Sequence, residues 1–406
     1  MKKRILFVDD ELFILAGLKR TLTALAPQYD FDFAGSGKEA LVKLKAHFFD
    51  VIVTDIKMPQ MTGDQLLTDV ARLSPSTARV ILSGEVNEET AKKVTTLAHS
   101  FLAKPCETEE ILKILERLCS ASKRLSNGQV QGMLRSIKSL PTPPALYFEL
   151  QKKMQEEASL KDIAALISHD TALSGKILKV VNSSFFAIGR RIGKIEEAVM
   201  FLGVNVVRSL ILSCHISATD SQNRIPGFSL DELNHHSILC STFAMRLVKE
   251  ATQSKSLSEE AFTLGVLHDV GILVMAEHMP DTLKTILQHM KENQSVFLDS
   301  ELKCLGATHA QIGACLLEMW GLPDTLVDAI HAHHAPLQIH DLETLSPSFA
   351  IRWVELFLKG QSHLHWMETD SQKSIPPEIQ RHPSFEKWEN LCHSIFQTLQ
   401  MPNKGQ

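Results

Sequence analysis

The stretch VIVTDIKMPQMTG, residues Val51 to Gly63, decides the fold of the first part of the chain. Its first four residues, Val51 to Thr54, are apolar or β-branched and run directly into Asp55, and Pro59 breaks the chain before a helical pattern begins. A short apolar run of this kind is typical of a central parallel strand that helices cover on both faces. The pattern therefore predicts that Asp55 lies at the carboxyl edge of a sheet, where open α/β folds bind ligands, although a solvated loop aspartate would give the same pattern.

The composition is that of an ordinary soluble protein. The chain has 406 residues, of which 44% are hydrophobic and 22% charged, with a net charge of −5 at pH 7. This length allows two or three domains, and the absence of a basic run argues against a nucleic-acid partner. The first apolar run, Ile5 to Val8, is too short for a signal peptide, and we expect no later stretch to be long enough to span a bilayer. Seven cysteines without CxxC spacing indicate buried thiols in a reducing cytoplasm.

Strand and helix patterns alternate five times in the first 120 residues. The candidate strands are Ile5–Val8, Asp30–Ala34, Val51–Thr54, Arg79–Leu82 and Ser100–Ala103. Because such alternation builds a parallel sheet with helices on both faces, we predict an α/β domain here.

Charged or hydroxyl residues follow four of these strands: Asp9 and Asp10, then Asp55, Ser83 and Lys104. In a parallel sheet they would all meet at one edge. Clustered carboxylates repel one another, and a hard cation such as Mg²⁺ relieves that repulsion. A lysine and a hydroxyl beside the metal can hold phosphoryl oxygens, so Asp55 would be a nucleophile that forms an acyl phosphate.

These motifs resemble the receiver domain of two-component response regulators. FVDDE, VTDIKMPQMTG, ILSGE and FLAKP occur in the expected order and spacing. The resemblance implies a flavodoxin-like, five-stranded parallel sheet in the order 2-1-3-4-5. It also implies phosphorylation of Asp55 by a sensor histidine kinase. The alternative, a degenerate receiver that is not phosphorylated, would lack a member of this set, and none is missing.

The resemblance also assigns individual roles. Mg²⁺ would be held by Asp9, Asp10 and Asp55 together with the backbone carbonyl of Lys57. Ser83 and Lys104 would contact the phosphoryl group, and Phe101 would turn inward when Ser83 engages it. We hypothesise that phosphorylation changes the partner of the surface formed by residues 88–118.

Composition shifts predict the domain boundaries. We assign residues 1–120 to the receiver domain and residues 121–139, which contain Asn127-Gly128, to a linker. LPTPPAL, beginning at Leu140, excludes helix and marks a new domain that we extend to residue 340. We expect residues 341–406 to form a C-terminal helical extension of that domain.

From Ala145 onward the patterns are helical, and we predict an all-α domain. No stretch has the basic appearance of a helix-turn-helix. Of the 18 histidines in the chain, sixteen lie after residue 120. His268-Asp269 is predicted inside an otherwise apolar helix, where burial is costly unless a metal or a hydrogen-bonded partner compensates the charge.

The helical segments resemble the HDOD domain, a relative of the HD phosphohydrolases. The motifs are LPTPPAL, NSSFFA, IEEAVMFLG, GVLHDVG, GATHAQIGACLLEMWGLP and HAHH. The resemblance implies an HD-type site for a divalent metal such as Fe, Mn or Zn. The residues that match its ligands are His236, His268, Asp269, Glu355, and, at the positions of a second metal, His309, His333 and His334. The GYP loop of cyclic-dinucleotide phosphodiesterases is absent, and Ile272 replaces a lysine that often follows the HD pair.

We therefore predict a cytoplasmic response regulator whose phosphorylated receiver controls an HDOD output module. That module would act on other signalling proteins or on assembly, with a homodimer as one form, and without contact to DNA or membrane. The alternative is a receiver-gated metal phosphodiesterase acting on a cyclic dinucleotide or other nucleotide. Whether the chain is an enzyme stays open, since its substrate-binding groups are depleted. A third reading, direct DNA contact, would show as salt-dependent duplex binding.

Overall fold

A computed structural model of the chain describes residues 2–83, 97–120, 145–182, 191–216, 225–337, 345–358 and 377–400. The chain divides into two compact units, one made by residues 1–148 with residues 314–324, the other by residues 149–313 with residues 325–406. The predicted linker and most of LPTPPAL and NSSFFA lie outside the described residues, as does part of the surface predicted for residues 88–118.

The first unit contains a parallel sheet in the order β2-β1-β3-β4-β5. Its strands are β1 Lys3–Val8, β2 Tyr29–Ala34, β3 Val51–Asp55, β4 Ala78–Ser83 and β5 Ser100–Ala103. The helices described beside it are α1 Leu12–Leu25, α2 Gly37–Ala46, α3 Gly63–Leu73 and α4 Thr108–Ser120. The predicted α/β domain and the order 2-1-3-4 are confirmed, and β5 is a four-residue strand paired with β4.

Burial explains why β3 is central. Val51, Ile52 and Val53 are each at most 2% exposed, as expected for a strand with helices on both faces. The sheet packs on buried side chains of α3, including Leu66 and Leu67. Each such fully buried side chain contributes about 1.5–3 kcal/mol of transfer free energy. Asp55, the last residue of β3, is the first that is not fully buried.

Gly63 fixes the chain that leaves β3. Its N–H donates to the carbonyl of Ile56 at 2.9 Å, so the loop from residue 56 to 63 folds back on itself. A Cβ on Gly63 would overlap the carbonyl oxygen of Asp55. The start of α3 can therefore lie against the end of β3 only because residue 63 has no side chain.

The remaining helices form the all-α part that the sequence predicts. They are α5 Ala145–Gln155, α6 Leu160–Ser168, α7 Thr171–Val181, α8 Ile195–Leu202, α9 Val204–Ile216, α10 Leu230–Thr252, α11 Lys255–Leu267, α12 Val270–His278, α13 Pro280–Asn293, α14 Phe297–Cys304, α15 His309–Met319, α16 Asp324–His331, α17 Pro347–Leu358, α18 Pro377–Gln380 and α19 Pro383–Gln400. The core of the second unit contains the fully buried rings of Phe243, Phe262 and Phe349.

The expectation that no stretch after Val8 is long enough to span a bilayer was wrong. The helical segment Lys255–His278 is long and apolar enough to cross a bilayer by length and composition, and 78% of its most apolar window is buried inside the protein. A buried core helix satisfies the same test, because a helix that is hydrophobic all round can be covered by other helices instead of lipid.

The position of His268-Asp269 also differs from the prediction. The pair does not lie inside one helix but between the end of α11 and the start of α12. His268 Nδ1 donates to the Gly265 carbonyl at 2.8 Å, the oxygen that the N–H of residue 269 would use in a continuous helix. Gly271 lies two residues after Asp269, and a Cβ on it would overlap the His309 carbonyl. The break thus brings the pair against the start of α15.

The close contact at Gly63 gives a stability prediction. Gly63→Ala should destabilise the sheet domain by about 1–3 kcal/mol, because the added methyl group meets backbone that cannot move aside. The measurement is hydrogen-exchange protection of peptides from β3 in the full chain.

Gly17→Ala is the matched control, since Gly17 lies within α1 and its Cβ would meet nothing within 4 Å. That change should stabilise the helix by about 0.5–1 kcal/mol. Equal exchange in the two variants would contradict the close packing of the β3–α3 turn.

Candidate functional sites

Strand pairing brings the predicted receiver residues to one edge of the sheet. Val8 is level with Thr54 in the β1–β3 pair, so the next residues, Asp9 and Asp55, lie side by side. Asp55 is level with Leu82 in β4, which places Ser83 one step beyond it. Ser83 is in turn level with Ala103 of β5, and Lys104 follows. The single edge that the sequence predicts is therefore present.

Three of these side chains meet directly. Lys104 Nζ lies 2.7 Å from Asp9 Oδ2 and 3.2 Å from Asp55 Oδ1. The Asp9 side chain is 4% exposed and that of Asp55 12% exposed, so both carboxylates have lost most of their water. Burial alone lowers the pKa of Lys104, but the hydrogen bond and charge of Asp9 and the charge of Asp55 outweigh it and raise the pKa. The ammonium group stays positive between them.

The other predicted receiver residues are less fully described. Asp10 is half-buried and directly follows Asp9, and Lys57 is exposed two residues after Asp55. The side chains of Ser83 and Phe101 lie outside the described part of the structure, so their predicted contacts with a phosphoryl group stay predictions.

The donor set at this edge fits Mg²⁺. The carboxylates of Asp9 and Asp55 meet at Lys104, which supplies one positive charge, and Asp10 directly follows Asp9. The remaining negative charge and the all-oxygen ligands are what a hard divalent cation requires. Asp9 Oδ1 already accepts the N–H of Glu11 at 2.9 Å, which holds that carboxylate in place.

The second candidate site is a buried cluster of histidines and acids in the helical unit. All seven predicted HD-type ligands are in it, and they come from α10 (His236), the α11–α12 break (His268 and Asp269), α15 (His309), the turn after α16 (His333 and His334) and α17 (Glu355). Two sets of donor atoms converge here, each with all its atoms within 4.8 Å of one another. The first contains His236, Cys240, His268 and Glu355, and the second contains Asp269, His309, His333 and His334.

Asp269 joins the two sets. Its Oδ2 lies 3.1 Å from His268 Nε2 and 3.8 Å from His236 Nε2, both in the first set. Its Oδ1 lies 3.3 Å from His309 Nε2 and 3.7 Å from His333 Nε2, both in the second. Each carboxylate oxygen therefore faces a different group of imidazoles, which is the geometry of a bridging ligand.

Glu355 completes the first set as predicted. Its Oε1 lies 2.9 Å from His236 Nε2 and 3.3 Å from His268 Nε2. Burial raises the pKa of Glu355, but the charge and hydrogen bond of His236 and the charge of His268 outweigh it and hold the pKa well below its usual value. The carboxylate is therefore ionised.

Three imidazole rings of the cluster are oriented by hydrogen bonds at Nδ1. The Nδ1 atoms of His268 and His333 bond to the Gly265 and Ile330 carbonyls at 2.8 and 2.6 Å. Nδ1 of His309 lies 3.0 Å from both oxygens of Glu301, a carboxylate that is 0% exposed. Because Nδ1 carries the proton in each of these bonds, the Nε2 lone pair of a neutral ring points into the cluster. Metal-binding histidines are oriented by partners of this kind.

The centre of the cluster contains polar atoms that the described residues do not satisfy. Neither oxygen of Asp269 nor Nε2 of His268 makes an aligned hydrogen bond within the described part of the chain, although both residues are 1% exposed. A buried carboxylate without hydrogen bonds costs several kcal/mol unless a positive charge compensates it. Divalent metal ions on either side of Asp269 would supply that charge, so the residues fit such a group.

Adjacent rings in the second set prefer opposite protonation states. Burial lowers the pKa of His309, but Glu301 and Asp269 outweigh it and raise the pKa to about 10. Burial and the charges of His268 and His309 lower the pKa of His333 to about 3. Without a cation, the cluster thus holds protons between its carboxylates, and a metal would have to displace them.

Two members of the cluster were missed at the level of sequence. Cys240 lies one helical turn after His236, and the i, i+4 spacing of two ligand types on one helix face was the signal. Glu301 lies eight residues before His309 in the printed sequence, and no local spacing relates it to the site, because the turn between α14 and α15 makes the contact.

Comparison with known proteins identifies both domains. A family model described as a response regulator receiver domain matches residues 5–116, and one described as an HDOD domain matches residues 140–336. The structure of an HDOD domain protein of unknown function from Geobacter sulfurreducens is similar with a TM-score of 0.54. It is 21% identical, with 68% of this chain and 96% of that chain covered, and the likeness shows the fold.

Curated relatives match parts of the chain. An uncharacterized protein of Treponema pallidum is 31% identical over 205 residues, 49% of this chain and 38% of the relative. The chemotaxis protein CheY of Thermotoga maritima is 27% identical over 123 residues, 29% of this chain and 98% of the relative. The match thus spans well under half of the first relative's length. Receiver domains generally bind Mg²⁺, and HD-type domains often bind divalent metals.

The contact between Glu301 and His309 gives a test of the cluster. Glu301→Gln should lower the affinity of the full chain for Mn²⁺ or Zn²⁺ by about 10–100-fold, since the amide cannot fix the ring as the carboxylate does. Metal content after dialysis at a series of free-metal concentrations measures the effect.

Glu292→Gln is the control, because Glu292 is exposed and accepts a hydrogen bond from Gln288 on its own helix. Metal affinities that are equal in the wild type and both variants would mean that Glu301 has no role in orienting a ligand.

Proposed function

We propose that this chain, which joins a response regulator receiver domain in residues 5–116 to an HDOD domain in residues 140–336, is a two-component response regulator. In this proposal a sensor histidine kinase phosphorylates Asp55, and the modified receiver controls the helical domain. The observation that carries it is the contact of the Lys104 ammonium group with the largely buried carboxylates of Asp9 and Asp55 at the carboxyl edge of the sheet. The structure describes all seven cysteines, and none of them forms a disulfide bond, which is consistent with the cytoplasm.

The phosphoryl step follows from the strand-edge geometry. An Asp55 carboxylate oxygen attacks the phosphorus of a phosphohistidine, so that an oxygen–phosphorus bond forms as the nitrogen–phosphorus bond breaks. The imidazole of the kinase leaves and takes a proton. Lys104 Nζ, already 3.2 Å from Asp55 Oδ1, is placed to hold one oxygen of the transferred group.

Mg²⁺ would supply charge neutralisation for the incoming phosphoryl group. Asp9, Asp10 and Asp55 would hold it with their carboxylates, and Lys57 would contribute its backbone carbonyl. Ser83 is proposed to bind a phosphoryl oxygen, with Phe101 responding to that contact. Phosphorylation adds about two negative charges at this edge, and the surface of residues 88–118 is where we propose that partners are exchanged.

We propose that the HDOD domain transmits the signal to other signalling proteins or by a change in assembly, such as a homodimer. The support is the pairing itself, in which a receiver precedes a helical domain with no helix-turn-helix pattern. Direct DNA or membrane contact is not part of the proposal.

A second candidate function, metal-dependent hydrolysis of a phosphodiester in a cyclic dinucleotide or other nucleotide, is favoured by one observation. Asp269 belongs to the second donor set through Oδ1, and its Oδ2 faces the His268 imidazole of the first set, so it could contact an ion in either set. Metal ions held by these residues would supply activation of water and charge stabilisation for phosphoester hydrolysis.

A cation that could hold a substrate phosphate lies beside the same cluster. Arg352 is one helical turn before Glu355 on α17, and its Nη1 donates to the Pro336 carbonyl at 3.1 Å. Pro336 follows His334 by two residues. Arg352 is therefore our candidate for the role of the lysine that Ile272 replaces, because a guanidinium group can bind a phosphate through two N–H groups.

The response-regulator proposal is tested by a phosphodonor. The wild-type chain, treated with a small-molecule phosphodonor and Mg²⁺, should gain the mass of one phosphoryl group on Asp55. Asp55→Asn should gain none, because an amide cannot form the acyl phosphate. Intact mass with peptide mapping measures this, and native mass spectrometry of the same samples reports assembly.

Asp69→Asn is the control, since Asp69 lies on α3 and pairs with the exposed Arg72. It should be phosphorylated as the wild type is. Phosphoryl uptake that persists in Asp55→Asn would place the acceptor elsewhere.

The second candidate is tested by turnover. If the cluster hydrolyses nucleotide phosphodiesters, Mn²⁺-loaded chain should convert a cyclic dinucleotide, and Asp269→Asn should lower kcat/KM by at least about 100-fold, because it weakens the shared ligand. Asp281→Asn, at an exposed position, should have wild-type activity. Absence of turnover by metal-loaded wild type would leave the HDOD domain as a binding module.

A further inference from the structure

The two donor sets around Asp269 differ in chemistry. The second offers one carboxylate and three imidazoles, from Asp269, His309, His333 and His334. The first offers a thiol besides imidazoles and a carboxylate, because Cys240 belongs to it.

Cys240 is placed as a ligand would be. It lies on α10 one turn after His236, so both side chains leave the same face of that helix. Cys240 Sγ is 3.2 Å from Glu355 Oε1 and 3.5 Å from His236 Nε2. The cysteine is 0% exposed. Its sulfur therefore faces the two side chains that, with His268, complete a four-atom set.

An independent observation points to a ligand at this position. His268 Nε2, a donor atom of the same set, makes no aligned hydrogen bond to any described residue, although it is fully buried. Its other nitrogen, Nδ1, already donates to the Gly265 carbonyl, so Nε2 points into the cluster. Nε2 lies 3.1 Å from Asp269 Oδ2 and 3.3 Å from Glu355 Oε1 but is aligned with neither oxygen, so a cation among these groups would satisfy all three.

We propose that Cys240 is a thiolate ligand of a metal ion held by His236, His268 and Glu355. The inference rests on the metal centre proposed above and deepens it. Four donors, two nitrogens, one sulfur and one oxygen, suit tetrahedral Zn²⁺ or a similar borderline ion such as Co²⁺ or Fe²⁺. On binding, the thiol loses its proton to solvent and the sulfur–metal bond forms, with no change in oxidation state.

The thiolate would make the two metal positions unequal. Sulfur ligands select against Mg²⁺, and Mn²⁺ prefers oxygen and imidazole donors. The position with Cys240 should therefore bind Zn²⁺ or Co²⁺ more tightly than Mn²⁺, whereas the position made of Asp269, His309, His333 and His334 should accept any of the three. A mixed-metal centre would result when Zn²⁺ and Mn²⁺ are both present.

The test is a Co²⁺ titration of the full chain with optical detection. Wild type should bind about two Co²⁺ in the helical domain and show a thiolate-to-cobalt charge-transfer absorption in the near-ultraviolet. Cys240→Ser should lose this absorption and bind one of the two ions at least about tenfold more weakly. The buried Cys392, which contacts Trp353, provides the control, and Cys392→Ser should retain the band.

X-ray absorption of the zinc-loaded wild type gives a second measurement that needs no variant. One sulfur at about 2.3 Å, beside nitrogen and oxygen at about 2.0–2.1 Å, is the expected shell for the thiolate position. Stoichiometric metal without sulfur in the shell and without the cobalt band would overturn the role of Cys240 and leave the metal centre intact. Wild type that binds neither ion would overturn both.

Discussion

Burial of a carboxylate costs free energy unless a positive charge or hydrogen-bond donors replace the water that it loses. Both units of this chain are organised by that constraint. At the sheet edge, Asp9 and Asp55 share the single ammonium group of Lys104. In the helical unit, Asp269 has no aligned hydrogen bond to the described residues and is surrounded by imidazoles. At the sheet edge two carboxylates face one ammonium group, and in the helical unit the acids are balanced by protons on buried imidazoles such as His309, so a bound cation could replace that compensation in both places.

The two sites compensate their acids with different chemistry. The sheet edge offers oxygen ligands and a lysine, which suits Mg²⁺ and a phosphoryl group that arrives and leaves. The helical cluster offers imidazoles fixed from behind by Glu301 and by backbone carbonyls, which suits a transition metal that stays bound. One chain thus combines a site for a transient modification with one that is preorganised. The first fits a signal input, and the second fits an output that is either structural or catalytic.

The residues at the sheet edge could be predicted from the sequence because the carboxyl ends of parallel strands all lie at the same edge of a sheet. Once β3 was identified from its apolar run, the residues after β1, β3 and β5 had to meet, and Asp9, Asp55 and Lys104 do. The histidine cluster was predicted from motifs, since its members are up to 119 residues apart and no spacing rule joins α10 to α17. What the sequence could not show was the helix break at His268-Asp269, where a side chain competes with the backbone for the Gly265 carbonyl. The role of Glu301 could not be predicted either, because it depends on a tertiary contact with His309.

The central claim is that bound cations neutralise the buried acids of both units, and anomalous diffraction from crystals grown with Mn²⁺ tests it most directly. The account predicts one anomalous peak beside Asp9 and Asp55 and at least one peak beside Asp269, within bonding distance of His309, which is the position that accepts Mn²⁺. Well-ordered side chains at both sites with no anomalous density between them would contradict the account, because the acids would then be neutralised by protons and by Lys104 alone.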